Sequence, residues 1–373
     1  MTAVLLALAA LWLALLVREK RRADRDRAAL RHVVHVNGTR GKSTVSRLID
    51  AGLRAGGLRV FCKTTGTDPM TIDVAGVEAP LVRRGRANIK EQLAILHRAA
   101  AQHADVLVVE CMAVLPELQH TAQHQMLRAD VGVITNVRRD HTDVMGDTLP
   151  RIARSLSNTI PRGGVLLTAE TGQAALLQQR AAALGSRFVP VCPDGTEPDF
   201  DFPDNIALAL AVCAELGVPR ATALAGMRAF HRDPYALRLY RCGGAVFVNA
   251  LSANDVQSSV LIWEGLRARF PARTLSILVN NRPDRGSRAQ DMAEVCVRLR
   301  PARVLLLGAA QGFMRLQLRA RLPEAQVTGL KNAAALDLAA FGEGDAVLLV
   351  GNIAGQGRAL TQRLREEGEE LVR

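Results

Sequence analysis

The chain has 373 residues, too many for one small core and enough for two α/β domains of about 150 residues each. Its composition, 49% hydrophobic and 23% charged without low-complexity tracts or internal repeats, is that of a globular protein. Aromatic residues make up only 3%, too few for a base-stacking platform, which speaks against nucleic acid; a net charge of +12 points to polyanions or an anionic membrane face, unless it only reflects the excess of Arg over Lys.

Ala3 to Val17 is an unbroken apolar run, followed at once by Arg18-Glu19-Lys20-Arg21-Arg22. A secretory signal has its positive charge before the apolar run, so this order is inverted. The run is slightly short for a bilayer core of about 30 Å, but snorkelling Arg and Lys extend it. Residues 1–22 are therefore predicted to form one N-terminal transmembrane helix at the cell membrane, N-terminus out, with the body from residue 23 in the cytoplasm. A helix packed on a partner protein or the core is the alternative.

Next come the β-branched run His32–Val36, the loop Asn37-Gly38-Thr39-Arg40-Gly41-Lys42-Ser43-Thr44, and a helical pattern over Val45–Leu58. Strands are predicted at Arg59–Cys62, Asp105–Glu110, Val131–Thr135 and Val165–Thr168. Apolar runs separated by helices imply a parallel sheet covered on both faces, with ligands beyond the carboxyl ends of its strands. The Pro-, Gly- and Arg-rich stretch 232–244 is expected as a linker, dividing a P-loop domain (23–240) from a Rossmann-like domain (241–373). Strands of the second domain are predicted from Ala245 and at Leu275–Val279, Val304–Leu307 and Ala346–Val350. The six cysteines, Cys62, Cys111, Cys192, Cys213, Cys242 and Cys296, lack C-x-x-C spacing and are expected as reduced core residues.

The loop lacks the first glycine of the strict Walker spacing, since Val36 stands there, but Gly38-x-x-Gly41-Lys42-Ser43-Thr44 lets backbone N–H groups converge on phosphate oxygens at a helix start. Lys42 is then expected at the β/γ-phosphates of ATP and Ser43 on Mg²⁺ or Mn²⁺. Glu110 closes an apolar strand and is expected as a metal ligand, with a helix cap or salt bridge as the alternative. Thr135 to Asp143 gathers polar groups after another strand; His141 between Asp140 and Asp143 suits a second metal site, and Asn136 either binds nucleotide or satisfies the turn.

These three segments, in this order, resemble the Mur ligase superfamily: Gly-Thr-x-Gly-Lys-Ser, a strand-end Glu, then Thr-Asn-x-x-x-Asp-His-x-Asp. More closely, the chain resembles the ligase subunit of poly-γ-glutamate synthases (PgsB or CapB type). The anchor, Lys63-Thr64-Thr65-Gly66-Thr67, Asn249-Ala250-x-x-Ala253-Asn254-Asp255 and Gly351-Asn352-Ile353-Ala354-Gly355-Gln356-Gly357 carry that likeness over nearly the whole chain. The resemblance implies an α/β P-loop ligase domain followed by a Rossmann-like domain. It implies amide-bond formation through an acyl phosphate, with Lys42, Glu110 and His141 in catalysis, Ser43, Glu110 and His141 on metal, and Asn249, Asn254 and Asp255 on nucleotide or in domain closure.

The pattern departs from ordinary Mur ligases in two places. Only about fifteen residues separate the anchor from the loop, which leaves no room for a UDP-sugar domain. No lysine occurs between Lys90 and Lys331 to serve as the family's carbamylated lysine. The expected substrates are thus glutamate and a polyglutamate chain, with other membrane subunits as partners and self-association left open. Arg forks bind carboxylates in pairs, so Lys63, Thr65, Arg83, Arg84 and Arg86, and Arg282, Arg285 and Arg288, are candidate substrate tracks, solvated surface charge being the alternative. A folylpolyglutamate-synthase-like ligase acting on a small soluble acceptor and a transport-energising P-loop ATPase are the competing readings.

Overall fold

The computed structural model describes residues 2–371 except 67, 84, 199–200, 234, 254, 268, 271–273 and 284–285. Arg84, Asn254 and Arg285, expected at the site, lie outside the described residues, as does Thr67. The chain divides into two compact units, Met1–Asp233 and Pro234–Arg373.

The first unit begins with α1 (Thr2–Ala28), one uninterrupted helix that joins the predicted anchor to the charged stretch behind it. It is long and apolar enough to cross a membrane by length and composition. Its apolar residues are bare, Leu6 being 70% and Trp12 65% exposed, whereas Ala23 and Asp26 near its other end are buried. Then follow β1 (His32–Asn37), α2 (Lys42–Ala55), β2 (Val60–Thr64), β3 (Met70–Ile72), β4 (Glu78–Pro80), α3 (Glu91–Ala101), β5 (Val106–Glu110), α4 (Pro116–Thr121) and a π-helical turn, Ala122–Leu127. The unit continues through β6 (Val131–Ile134), α5 (Thr142–Met145), α6 (Leu149–Leu156), β7 (Val165–Thr168), α7 (Ala174–Ala183), β8 (Arg187–Pro190), α8 (Pro203–Glu215) and α9 (Arg220–Met227).

Its eight strands run in the order β4-β3-β2-β5-β1-β6-β7-β8. The six from β2 to β8 are parallel, as the continuous apolar runs predict, and β3 and β4 add an antiparallel edge. The central β1 pairs with β5 and β6, with Val36 opposite Glu110. Alternate residues face opposite layers: Val34 and Val36 pack on α2 and α8, while Val33 joins the cluster of Ile95 and Leu96 from α3. α2 earns its place in the core by burying Val45, Leu48, Ile49 and Leu53 along one stripe.

The second unit contains β9 (Arg238–Cys242), β10 (Ala245–Asn249), α10 (Val256–Arg267), β11 (Thr274–Asn281), α11 (Gly286–Leu299), β12 (Arg303–Gly308), α12 (Gln311–Arg321), β13 (Gln326–Gly329), β14 (Asp345–Gly351), α13 (Gln356–Glu367) and β15 (Glu369–Leu371). The sheet order is β13-β12-β11-β14-β10-β9-β15. The strands from β13 to β10 are parallel and doubly covered, while β9 and β15 are antiparallel. Arg238–Cys242, in the stretch expected as a linker, is thus a strand, paired to β10 across the turn at Gly243-Gly244. All six cysteines are free thiols, but Cys192 is exposed rather than in the core.

Candidate active site at the phosphate-loop end of the first sheet

Gly38 and Gly41 set the loop. Gly38 has φ +125°, and a Cβ there would stand 2.1 Å from Thr135 Oγ1; Gly41 has φ +82° and a Cβ would stand 2.7 Å from Asn205 Oδ1. Only glycine meets both demands. α2 starts at Lys42 without a side-chain cap, which leaves its first N–H groups and the positive end of its dipole facing the loop. Lys42 Nζ folds back onto the carbonyl oxygens of Gly38 and Thr39, at 2.8 and 3.2 Å.

The loop is clamped from β6. Asn136 accepts from Arg40 N–H (3.1 Å) and donates to Arg40 O (3.1 Å), and Thr135 Oγ1 donates to the same oxygen (2.6 Å). Asn136 therefore satisfies the loop itself. Thr39 bridges the same wall through Asn136 O and the Arg138 N–H. The Asn37 side chain is committed to buried partners, donating to Gln119 Oε1 (3.1 Å) and Thr159 Oγ1 (3.2 Å). Its position as the last residue of a strand fully enclosed by β5 and β6 sends it there.

Three elements converge on Glu110, at the end of β5. Its Oε2 accepts from Ser43 Oγ (2.8 Å) in the first turn of α2 and from the Thr65 N–H (2.7 Å) just after β2. Glu110 is only 3% exposed. A Cβ on Gly66 would lie 3.2 Å from Ser43 Oγ and 2.8 Å from Asp233 Oδ2, so Asp233 also borders the site, a residue that the sequence reading left in the linker. Ser43 and Glu110 are hard oxygen donors at a helix start, a set that fits a small divalent cation.

Lys63, at the end of β2, is fully buried and pairs with Glu91 Oε1 at 2.9 Å; Arg83 takes the other oxygen, with Nε 2.6 Å from Oε2. Burial pulls the Lys63 ammonium below its ordinary pKa against the charges of Glu91 and Glu110. For Glu91 burial opposes ionisation, yet the Arg83 hydrogen bonds and the Lys63 charge outweigh it and hold the carboxyl below its usual range. Lys63 and Arg83, expected as open substrate contacts, are thus already engaged by a carboxylate that the sequence reading did not single out. Glu91 starts α3, whose next residue Gln92 hydrogen-bonds the Glu110 carbonyl. Arg86 is exposed, and Arg282 and Arg288 are partly exposed.

His141 stands against Asp140, its backbone N–H donating to Asp140 Oδ1 at 3.1 Å. It sits at φ +46° ahead of α5, its Nε2 3.8 Å from Asp140 Oδ2, and Asp140 is drawn to Arg40 at 3.2 Å. Among the described residues no group of three or more His, Cys, Asp or Glu side chains stands ready to hold a metal. Behind the loop, His35 is completely buried on β1 with Nδ1 2.8 Å from Gln123 Oε1, and burial takes its pKa down to about 4. In the second unit, Asn249 donates to Thr361 Oγ1 (3.0 Å) and Asp255 accepts from the Ser258 N–H (2.9 Å) at the start of α10. Both are used within their own unit.

Residues 36–169 match the Mur ligase middle domain, and residues 235–367 match the poly-gamma-glutamate synthase CapB C-terminal domain. The chain is similar to the capsule biosynthesis protein CapB of Bacillus anthracis, 38% identical over 70% of this chain and 59% of that protein. It is also similar to the PGA synthase CapB of Bacillus subtilis, 35% identical over 78% of both. Among solved structures, the fold is like that of Mycobacterium tuberculosis folylpolyglutamate synthase complexed with ADP (TM-score 0.67, 17% identity, 93% of this chain and 94% of that one). It is equally like the Yersinia pestis bifunctional folylpolyglutamate synthase/dihydrofolate synthase complexed with AMPPNP and Mn ion (TM-score 0.67, 18% identity, 95% of this chain and 97% of that one).

Proposed function

Because the chain belongs to the CapB family of poly-γ-glutamate synthases, we propose that it is an ATP-dependent amide ligase that joins the γ-carboxyl group of one glutamate to the amine of another. The observation that carries this reading is the meeting of Lys42, Ser43 and Glu110 at an uncapped helix start beyond the central strands.

The loop N–H groups and Lys42 hold the triphosphate, Lys42 exchanging its carbonyl partners for phosphate oxygens. Ser43 and Glu110 would hold a divalent cation, Mg²⁺ or Mn²⁺, which would screen the repulsion between an anionic carboxylate and ATP. A carboxylate oxygen attacks the γ-phosphorus and ADP departs; the incoming amine then attacks the acyl carbon, phosphate leaves and the nitrogen gives up a proton. His141 would contribute to a second cation site. The nucleotide-binding role of Asn249, Asn254 and Asp255 rests on the family resemblance. α1 anchors the chain in the cell membrane with the body in the cytoplasm, beside other membrane subunits of the synthase.

Membranes carrying the full chain, given labelled glutamate and ATP, are expected to make a labelled γ-linked polymer, and hydroxylamine is expected to trap an acyl hydroxamate. Glutamate-independent ADP release with no hydroxamate would overturn the reading. The likeness of fold to folylpolyglutamate synthases supports a second reading, ligation onto a small soluble acceptor. Full activity after deletion of residues 2–17, with only short soluble products, would select it.

A further inference from the structure

The apolar run of α1 ends at Val17, and the next two turns present Arg18, Arg21, Arg22 and Arg25 at spacings of three and four, one face of a helix. Ala14 and Val17 continue that face into the apolar segment. His97 of α3 supplies the opposite wall, and together these residues line an open cleft of about 720 Å³.

Most charges on this stretch are already matched. Glu19 pairs with Lys90, Lys20 with Asp24, and Asp26 with His97, while Arg22 reaches both His97 Nδ1 and Asp26. Arg18, Arg21 and Arg25 engage no carboxylate among the described residues, and all three are exposed. A cluster of guanidinium groups on one helix face repels itself unless an anion neutralises it.

The position along the helix says which anion. Residues 18 to 25 rise about 10 Å, enough to cross a headgroup layer of about 5–8 Å at the foot of a membrane-crossing segment. A lipid seated there would lay its acyl chains along Ala14 and Val17 and its phosphate among the arginines. We propose that this cleft binds the phosphate headgroup of an anionic phospholipid. The inference rests on the reading of α1 as a membrane anchor. It adds a lipid-selective site to it.

The test uses the full chain in phosphatidylcholine nanodiscs with and without phosphatidylglycerol at equal mole fraction, with bound lipid counted by native mass spectrometry after mild detergent release. Each juxtamembrane charge is worth roughly five-fold in association with an anionic surface. The wild type is expected to retain phosphatidylglycerol at least ten-fold over phosphatidylcholine, and Arg18→Gln/Arg21→Gln/Arg25→Gln to retain the two lipids about equally while staying in the membrane fraction. Undiminished selectivity in the variant would overturn the site. Displacement of the lipid by soluble polyglutamate, but not by inorganic phosphate, would overturn it in favour of a product track. Failure of the wild type itself to enter nanodiscs would be a failure of the anchor reading instead. The Lys20→Gln variant, which removes a charge paired with Asp24 outside the cleft, is the control expected to change selectivity least.

Discussion

Both units carry a strand, a glycine-rich turn and a helix start, and the two differ in charge. In the first, Gly38 and Gly41 bring Lys42, Ser43 and Glu110 together, ringed by Lys63, Glu91, Arg40 and Asp140. In the second, Gly351 at φ +107° and Gly355 at φ +62° lead β14 into α13, and neutral side chains pin the turn. Asn280 donates to the carbonyls of Asn352 and Ala354, and Thr361 links Asn249 to the Gly357 carbonyl. Similar backbone devices thus serve two ends: the charged turn is built to handle an anion, and the amide-lined turn is built to hold its own shape. Amides satisfied by their neighbours cost nothing to desolvate, whereas an ammonium resting on two carbonyls is held in reserve for a better acceptor.

That contrast can be broken most forcefully at Lys42. Lys42→Ala is expected to lower the rate of ADP release about 10³-fold, as for loss of a group that stabilises transferring phosphate, with the far-ultraviolet circular dichroism spectrum unchanged. A fall of less than about ten-fold would mean that the uncapped helix start does the work alone.

The next effect is in stability. His35 is neutral when folded, with its pKa near 4, but takes up a proton near pH 6.5 when unfolded. The unfolded chain therefore binds more protons between these values, and the first unit is expected to lose about 3 kcal/mol as the pH drops from 6.5 to 4. Hydrogen exchange at the β1 amides measures this, and His35→Gln is expected to flatten it. The buried Trp263 in α10 reports on the second unit in a Trp12→Phe background, and its transition is expected not to share this slope.

Asn280→Ala removes both hydrogen bonds that pin the neutral turn and leaves two carbonyls short of a donor. The second unit is expected to lose about 1–3 kcal/mol in urea unfolding followed at Trp263, with ADP release from the first site changing far less than in Lys42→Ala. Smallest of all, Arg83→Gln is expected to cost under about 1 kcal/mol, because Arg83 is partly exposed and Glu91 keeps its buried partner Lys63. A loss above about 3 kcal/mol would show that Lys63 cannot hold Glu91 by itself.

The parts of this site that were legible in the sequence are those coded within a few residues. Gly38, Gly41, Lys42 and Ser43 are read off one octapeptide because φ above zero, a helix start and a phosphate-binding side chain are all local demands. Glu110 was legible because four apolar residues before a carboxylate place it at a strand end. Glu91 was not: it meets Lys63 only when α3 packs beside β2, a contact between positions 28 apart in sequence that no periodicity encodes. The partners of Asn37 were hidden for the same reason, since Gln119 and Thr159, 82 and 122 positions away, draw its side chain into the core. The main parallel strands announced themselves as continuous apolar runs. β9 did not, because an antiparallel strand reading Arg-Leu-Tyr-Arg-Cys between glycines and a proline looks like a linker until β10 and β15 hydrogen-bond it from both sides.

Lys90 and Glu91 are neighbours at the start of α3, and they answer to different masters. Lys90 grips Glu19 on the bare helix α1, while Glu91 grips the buried Lys63 one strand away from Glu110. The first pair is exposed on both sides and the second is buried, so the contact with α1 can be broken at little cost while the carboxylate one residue further on keeps its partner.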